Sequence, residues 1–314
     1  MKSIGLVFFT FFTFFATFAF AQDFDPVLFE KRIKQLTDSM SAEKAIERVA
    51  DNGQSLQYGI VNDSIAQVRK GAFNQMEAIV LELANHTDQF LWFPENLPGI
   101  KVLYPQDSTF RMITWVGRFS NSEYQYGGVI QFRTGQPPIV LEPTIVDEDF
   151  ELTTYDAKNW PSALYYNIFD FKRGGQTYYL LFAFDGYSQY AHRKWLEVLT
   201  FDDKQVPAFG ATVFDFEAES KSKIKRMVLE YAAEINIKLN YDPVEGIIMY
   251  DHLIPMKSNY ADVEVYVPDG SYEGLKLKRG KWKHIDKIKT LILKDPPRET
   301  PILDERKGKS INGQ

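Results

Sequence analysis

Phe110-Arg111-Met112-Ile113-Thr114-Trp115-Val116-Gly117-Arg118 and Tyr124-Gln125-Tyr126-Gly127-Gly128-Val129-Ile130-Gln131-Phe132 are separated by Phe119 and the polar linker Ser120-Asn121-Ser122-Glu123. Two runs rich in β-branched and aromatic residues around a short polar linker are the pattern of a β-hairpin. Units of the same kind continue almost to Ile288. Further strands are predicted over residues 101–104, 163–171, 177–184, 195–201, 227–231, 247–250 and 263–267.

Working outward, two segments alternate strictly. Ile235, Ile237, Leu239 and Tyr241 interleave with Asn236, Lys238 and Asn240, and Leu275 and Leu277 interleave with Lys276 and Lys278. A period of two buries one face of a strand and wets the other. Gly174-Gly175, Asp202-Asp203, Asp242-Pro243, Pro268-Asp269-Gly270 and Arg279-Gly280 mark the turns. Consecutive short strands with tight turns predict an antiparallel meander. About a dozen strands exceed one comfortable open sheet. The expected class is therefore mainly β, with N-terminal helices followed by an antiparallel meander that closes as a propeller-like or barrel domain, or alternatively forms a β-sandwich.

The N-terminal side has a helical period. Asp25-Pro26 offers a capping carboxylate and a first-turn proline. Leu28, Phe29, Ile33, Leu36 and Met40 follow at helical spacing. A short helix is predicted over residues 41–50. A third starts near Asn62 or Asp63, carries Ile65, Val68, Ala72, Met76, Ile79 and Leu83 on one face, and ends near Asn85-His86. Phe90-Leu91-Trp92-Phe93-Pro94 reads as an aromatic plug that docks the helical part, residues 22–94, onto the β part, residues 95–293. Trp115 is expected inside the β part. Residues 294–314 lack periodicity and are rich in Pro, Lys and Glu, the composition of a disordered tail.

Lys2, the apolar run over residues 4–20 and Ala19-Phe20-Ala21 read as a signal peptide, residues 1–21, cleaved before Gln22. With no later span, the mature chain is expected in the periplasm or secreted. There is no cysteine, which excludes disulfides and thiolate metal sites. With 36 basic and 42 acidic residues the chain is net −6, a poor composition for nucleic-acid binding. The charge is uneven. Residues 276–309 carry 12 basic and 5 acidic side chains, and residues 142–156 carry 6 acidic and no basic ones. The lysines around Leu275 and Leu277 have two readings: guards of an edge strand, or a patch for an anionic envelope component.

No nucleophile elbow, phosphate loop or dinucleotide fingerprint is present. His86, His192, His252 and His284 stand at no metal-ligand spacing. Asp242-Pro243-Val244-Glu245-Gly246 and Asp147-Glu148-Asp149 lack the register of a calcium loop. The sequence predicts neither metal nor cofactor. Asp251-His252 joins an acid to an imidazole after an apolar strand, but neighbours on an extended chain point apart, and Asp251 also suits a turn. The polar loop Asp185-Gly186-Tyr187-Ser188-Gln189-Tyr190 keeps two tyrosines, suited to stacking on a sugar or anchoring a protein. Asp185, Tyr187, Tyr190, Asp251 and His252 are thus the candidate ligand or acid–base positions.

Phe110-Arg111-Met112-Ile113-Thr114-Trp115, Tyr126-Gly127-Gly128-Val129-Ile130-Gln131, Ala163-Leu164-Tyr165-Tyr166-Asn167-Ile168, Tyr178-Tyr179-Leu180-Leu181-Phe182-Ala183-Phe184-Asp185-Gly186, Glu197-Val198-Leu199-Thr200-Phe201 and Met249-Tyr250-Asp251-His252-Leu253-Ile254-Pro255 resemble motifs of exported proteins of unknown function from Bacteroidetes-type bacteria. The resemblance spans roughly residues 95–290 and implies export, with no activity attached. Two functions are expected. One is a non-enzymatic binding or scaffold protein of the cell envelope, with an envelope protein or glycan as partner. The other is an exported hydrolase acting on glycans, with Asp185, Glu230, Asp251 and His252 as its acids and base. The second needs two carboxylates about 5 to 10 Å apart in a cleft.

Overall fold

The computed structural model describes residues 24–40, 58–120, 123–146, 148–216, 223–257, 263–286 and 288. The expected signal peptide, the helix over residues 41–50 and the tail after residue 294 lie outside these residues.

Asp25 caps α1 (Pro26–Met40): its Oδ1 accepts the N–H groups of Val27 at 3.0 Å and Leu28 at 3.1 Å. The second helix, α2 (Tyr58–Ala84), starts earlier than the sequence predicts. Phe29, Ile33, Phe73, Met76, Ile79, Val80 and Leu83 bury one side of the pair against a sheet. Trp92 and Phe93 of the expected plug join that cluster.

Three sheets follow, antiparallel except for one short parallel pair in the third. The first is a meander of β1 (Ile100–Leu103), β2 (Phe110–Arg118), β3 (Tyr124–Phe132) and β4 (Ile139–Leu141). The middle sheet is built on β6 (Leu164–Arg173), β7 (Gln176–Asp185) and β8 (Ala191–Phe201). Along the free edge of β8, β9 (Pro207–Phe209) pairs one half and β11 (Arg226–Ala232) the other, and β5 (Tyr155–Asp156) continues from β9. The third sheet runs β10 (Phe214–Asp215), β15 (Lys281–Ile285), β14 (Glu264–Lys278), β13 (Ile247–Lys257), β12 (Leu239–Asp242), with β10 parallel to β15.

Side-chain alternation stacks these sheets. In β2 and β3, Ile113, Trp115 and Val129 face the helices, while Phe110, Met112, Tyr126 and Ile130 face the middle sheet. In β7 and β8, Leu181, Ala183, Trp195 and Leu199 return that contact. Their neighbours Leu180, Phe182, Leu196 and Val198 pack on Ile248, Leu275 and Trp282 of the third sheet. The order is helices, first sheet, middle sheet, third sheet.

This corrects the barrel and propeller expectation in favour of the sandwich alternative. Among the described residues no sheet closes on itself. The sheets stack instead, because the middle strands are apolar on both faces and need a layer on each side. Trp115 is buried as expected, though at the helix–sheet interface. Its ring lies over Gly127, its cross-strand partner, where an added Cβ would stand 2.2 Å from the indole. The predicted strand from Ile235 shortens to β12. Upstream, the Lys238 N–H donates to the Asp251 side chain and the Lys238 carbonyl accepts from the Asp251 N–H at 3.2 Å.

Candidate functional site

The β7–β8 connection is built by its own polar groups. Asp185 Oδ1 accepts from the Tyr187 N–H at 3.0 Å and from the Tyr126 hydroxyl at 2.9 Å. That hydroxyl in turn accepts the Gly186 N–H at 2.7 Å. Ser188 Oγ accepts the N–H groups of Ala191 at 3.0 Å and Tyr190 at 3.3 Å. Gly186 lies against Tyr124, and a Cβ there would be 2.4 Å from the ring. The turn thereby holds Tyr187 at φ +33°, in the left-handed region that a residue with a side chain rarely occupies.

The sheet then supplies a partner. Arg193 of β8 stands directly opposite Asp185 of β7 on one side and Glu230 of β11 on the other, so the three form one row on one face. The Arg193 guanidinium lies 3.3 Å from the centre of the Tyr187 ring. Its Nε and Nη2 both donate to Glu230 Oε2, at 2.9 and 2.8 Å. A guanidinium stacked on a ring and fixed by a carboxylate is a rigid arrangement. Tyr187 remains 47% exposed, while Tyr190 is half-buried.

Burial pushes the Asp185 carboxyl up, opposed by the Tyr187 amide, the Tyr126 hydroxyl and Arg193. The Tyr126 hydroxyl goes well up through burial and the adjacent Asp185. His192, edge-on to Tyr124, Phe184 and Tyr231, is pushed down by burial and by Arg118.

Asp251 and His252 belong elsewhere. Asp251 is tied to the Lys238 backbone. His252 sits at a register shift of the β13–β14 pair. Its Nδ1 lies 3.0 Å from Asp269 Oδ2 and its Nε2 3.7 Å from Glu273 Oε1. The Ser271 hydroxyl and amide, with His252, hold the Asp269 carboxyl down to about 2. The fold thus joins Asp185, Tyr187 and Glu230 around Arg193, and leaves Asp251 and His252 in separate local roles. The Asp185 carboxylate acts on its own turn, so it does not form an acid–base pair with Asp251.

Two groups escaped the sequence reading. Glu273 Oε2 accepts from the Tyr250 hydroxyl at 2.9 Å and lies 2.9 Å from His284 Nε2. Burial, then Glu273, push the Tyr250 hydroxyl up. These side chains line a cleft of about 250 Å³ with Glu151, Phe216, Met227 and Leu229. Glu273 and His284 are eleven residues apart, and no local motif links them.

The second group is Glu197 and Arg226, both fully buried and paired at 2.7 Å. Glu197 Oε1 also accepts from the Tyr165 hydroxyl at 2.5 Å and the Trp195 indole at 2.9 Å. Arg226 further donates to the carbonyls of Phe150, Thr153 and Phe209. Every donor of the guanidinium is used, which is a structural role. Among the described residues no three His, Asp or Glu side chains converge as metal ligands.

Compared with protein-family models, curated proteins and solved structures, the chain matches none.

Proposed function

We propose that this chain is an exported, non-enzymatic binding or scaffold protein of the cell envelope that contacts its partner through Tyr187. One observation carries the reading. An exposed aromatic is held in a left-handed backbone by Asp185, Gly186 and Ser188 and stacked on an Arg193 that Glu230 fixes. Backbone strain of this kind costs about 1–3 kcal/mol and persists where its surroundings enforce it, commonly at binding sites. A prearranged ring beside a guanidinium suits the apolar face of a sugar or an anchor pocket on an envelope protein, at little cost in side-chain entropy. Export rests on the apolar N-terminal run and on the resemblance to exported Bacteroidetes-type proteins. No described helix is long and apolar enough to cross a membrane.

A glycan array and a pulldown from envelope extract test the binding reading, each with wild type and Tyr187→Ala. Binding that the substitution removes supports it. Absence of any ligand, together with turnover in hydrolase assays, opposes it. Mass spectrometry of the exported protein tests the address: an N-terminus at Gln22 is expected, and a mature species retaining Lys2 would mean an anchor.

The hydrolase reading centres on Glu273, whose carboxylate also has the His252 Nε2 3.7 Å away. Glu273 beside His284 in an open cleft is an acid–base pair within proton-transfer distance. A panel of glycosides tests it. Turnover lost in Glu273→Gln and kept in Tyr187→Ala would favour catalysis.

A further inference from the structure

The lysines of the β14–β15 hairpin oppose one another. Lys276 pairs with Lys283 and Lys278 with Lys281, while Leu277 pairs with Trp282 between them. Trp282 is fully buried, and Leu277 packs against the same core cluster. Alternation therefore places all four lysines on the outer face of the third sheet, and each is exposed. Arg279 adds a fifth exposed cation at the turn, with φ +51°. Like charges directly opposite each other destabilise a sheet. Among the described residues none of these five has an ion-pair partner within 4.0 Å.

Guarding an edge does not account for all four. The β13–β14 ladder ends at Leu275, so Lys276 and Lys278 lie just past its paired part, but β10 covers the outer edge of β15 at Trp282 and Lys283. An inward row of Leu275, Leu277 and Trp282 holds the lysines in place against their repulsion. On a strand the lysines repeat about every 7 Å, and across the pair they stand about 5 Å apart. They form a flat basic grid, bordered on the β10 side by the exposed Asp215, which stands opposite Lys283. The neighbouring β12–β13 turn projects Val244, 89% exposed, from the same end of the sheet.

We infer that this face is a docking surface for an anionic phospholipid bilayer. A planar grid of flexible ammonium groups matches a plane of headgroups, which attracts juxtaposed basic residues over about a Debye length. The grid carries no exposed aromatic ring on which a sugar or base would stack. The exposed Val244 provides an apolar tip at the margin, next to the exposed Glu245. The β6–β7 turn lies at this end, where Arg173 packs on Gly280. Tyr187 is at the opposite end of β7, about 30 Å away along the strand. Docking by the lysines would thus leave Tyr187 free to meet its partner.

Cosedimentation of the full chain with vesicles tests this, comparing phosphatidylcholine with phosphatidylcholine containing phosphatidylglycerol. The difference between the two vesicle types is the readout, which subtracts any charge-independent contribution of residues 4–20. The wild type should partition onto the anionic vesicles and release as salt rises. Replacing Lys276, Lys278, Lys281 and Lys283 by Gln should lower that partitioning roughly 100-fold or more. Lys278→Gln with Lys281→Gln, confined to the turn end, should lose part of it. Lys31→Gln with Lys34→Gln on α1 should lose none. The quadruple variant should melt at or above the wild-type temperature, because repulsion is relieved. Equal partitioning of wild type and quadruple variant, or no preference of the wild type for anionic vesicles, would overturn the inference. So would tighter, lysine-dependent binding to polygalacturonate than to vesicles.

Discussion

Arg226→Met removes a buried cation from the start of β11, beside β8 of the middle sheet. Arg226 and Glu197 are each 0% exposed, so no solvent can replace the lost partner. The Glu197 carboxylate would keep two donors, the Tyr165 hydroxyl and the Trp195 indole. Breaking a buried pair from one side costs about 3–5 kcal/mol. The carbonyls of Phe150, Thr153 and Phe209 would also lose a donor, at about 1–3 kcal/mol for each that water does not reach. The expected loss is about 5 kcal/mol or more, a large part of the 5–15 kcal/mol or so that holds a typical domain together. Adding Glu197→Gln should recover at least about 1 kcal/mol, since Gln can still accept from Tyr165 and Trp195 without a charge, and contacting sites couple by about 0.5–3 kcal/mol. Urea unfolding followed by far-UV circular dichroism measures both. A loss below about 1 kcal/mol for Arg226→Met, or strict additivity in the double variant, would refute the reasoning.

Trp115→Ala should cost about 3–5 kcal/mol in the same assay, because the ring is fully buried between β2 and the helices; a loss near zero would place the ring outside the core. Gly186→Ala puts a methyl into the Tyr124 ring and should cost about 1–3 kcal/mol as overpacking in the same urea assay. His192 is held below its ordinary 6.5 by burial, so its unfolded form takes up the proton first as pH drops. Stability present above 6.5 should therefore decline as pH falls toward the folded value, and His192→Phe should flatten that limb of a stability–pH curve.

The hairpins were legible because their strands and turns are local. Gly174-Gly175 and Arg279-Gly280 do form turns at positive φ, and Phe110–Arg118 pairs with Tyr124–Phe132 across the linker. The layering was legible only by contrast. Leu275-Lys276-Leu277-Lys278 alternates, as an outer sheet must, whereas Tyr179-Leu180-Leu181-Phe182-Ala183 does not, since both of its faces are covered. Counting about a dozen strands called for a sheet that closes or splits, and the count alone does not decide between them. The Asp185–Tyr190 loop stood out because polar turn residues flanked tyrosines. Its partner Arg193 did not, and Glu230 was named only as a hydrolase acid, because only the register of β7, β8 and β11 brings the three into a row. Glu273 and His284 were hidden for the same reason: two unremarkable side chains become neighbours through the β14–β15 hairpin.

The most direct test of the account compares wild type, Tyr187→Ala, Arg193→Ala and Glu273→Gln on one glycan array and one envelope pulldown. The account predicts a ligand that Tyr187→Ala and Arg193→Ala lose and Glu273→Gln retains, with all four proteins folded. A ligand bound as well by the Tyr187 and Arg193 variants as by wild type would contradict it.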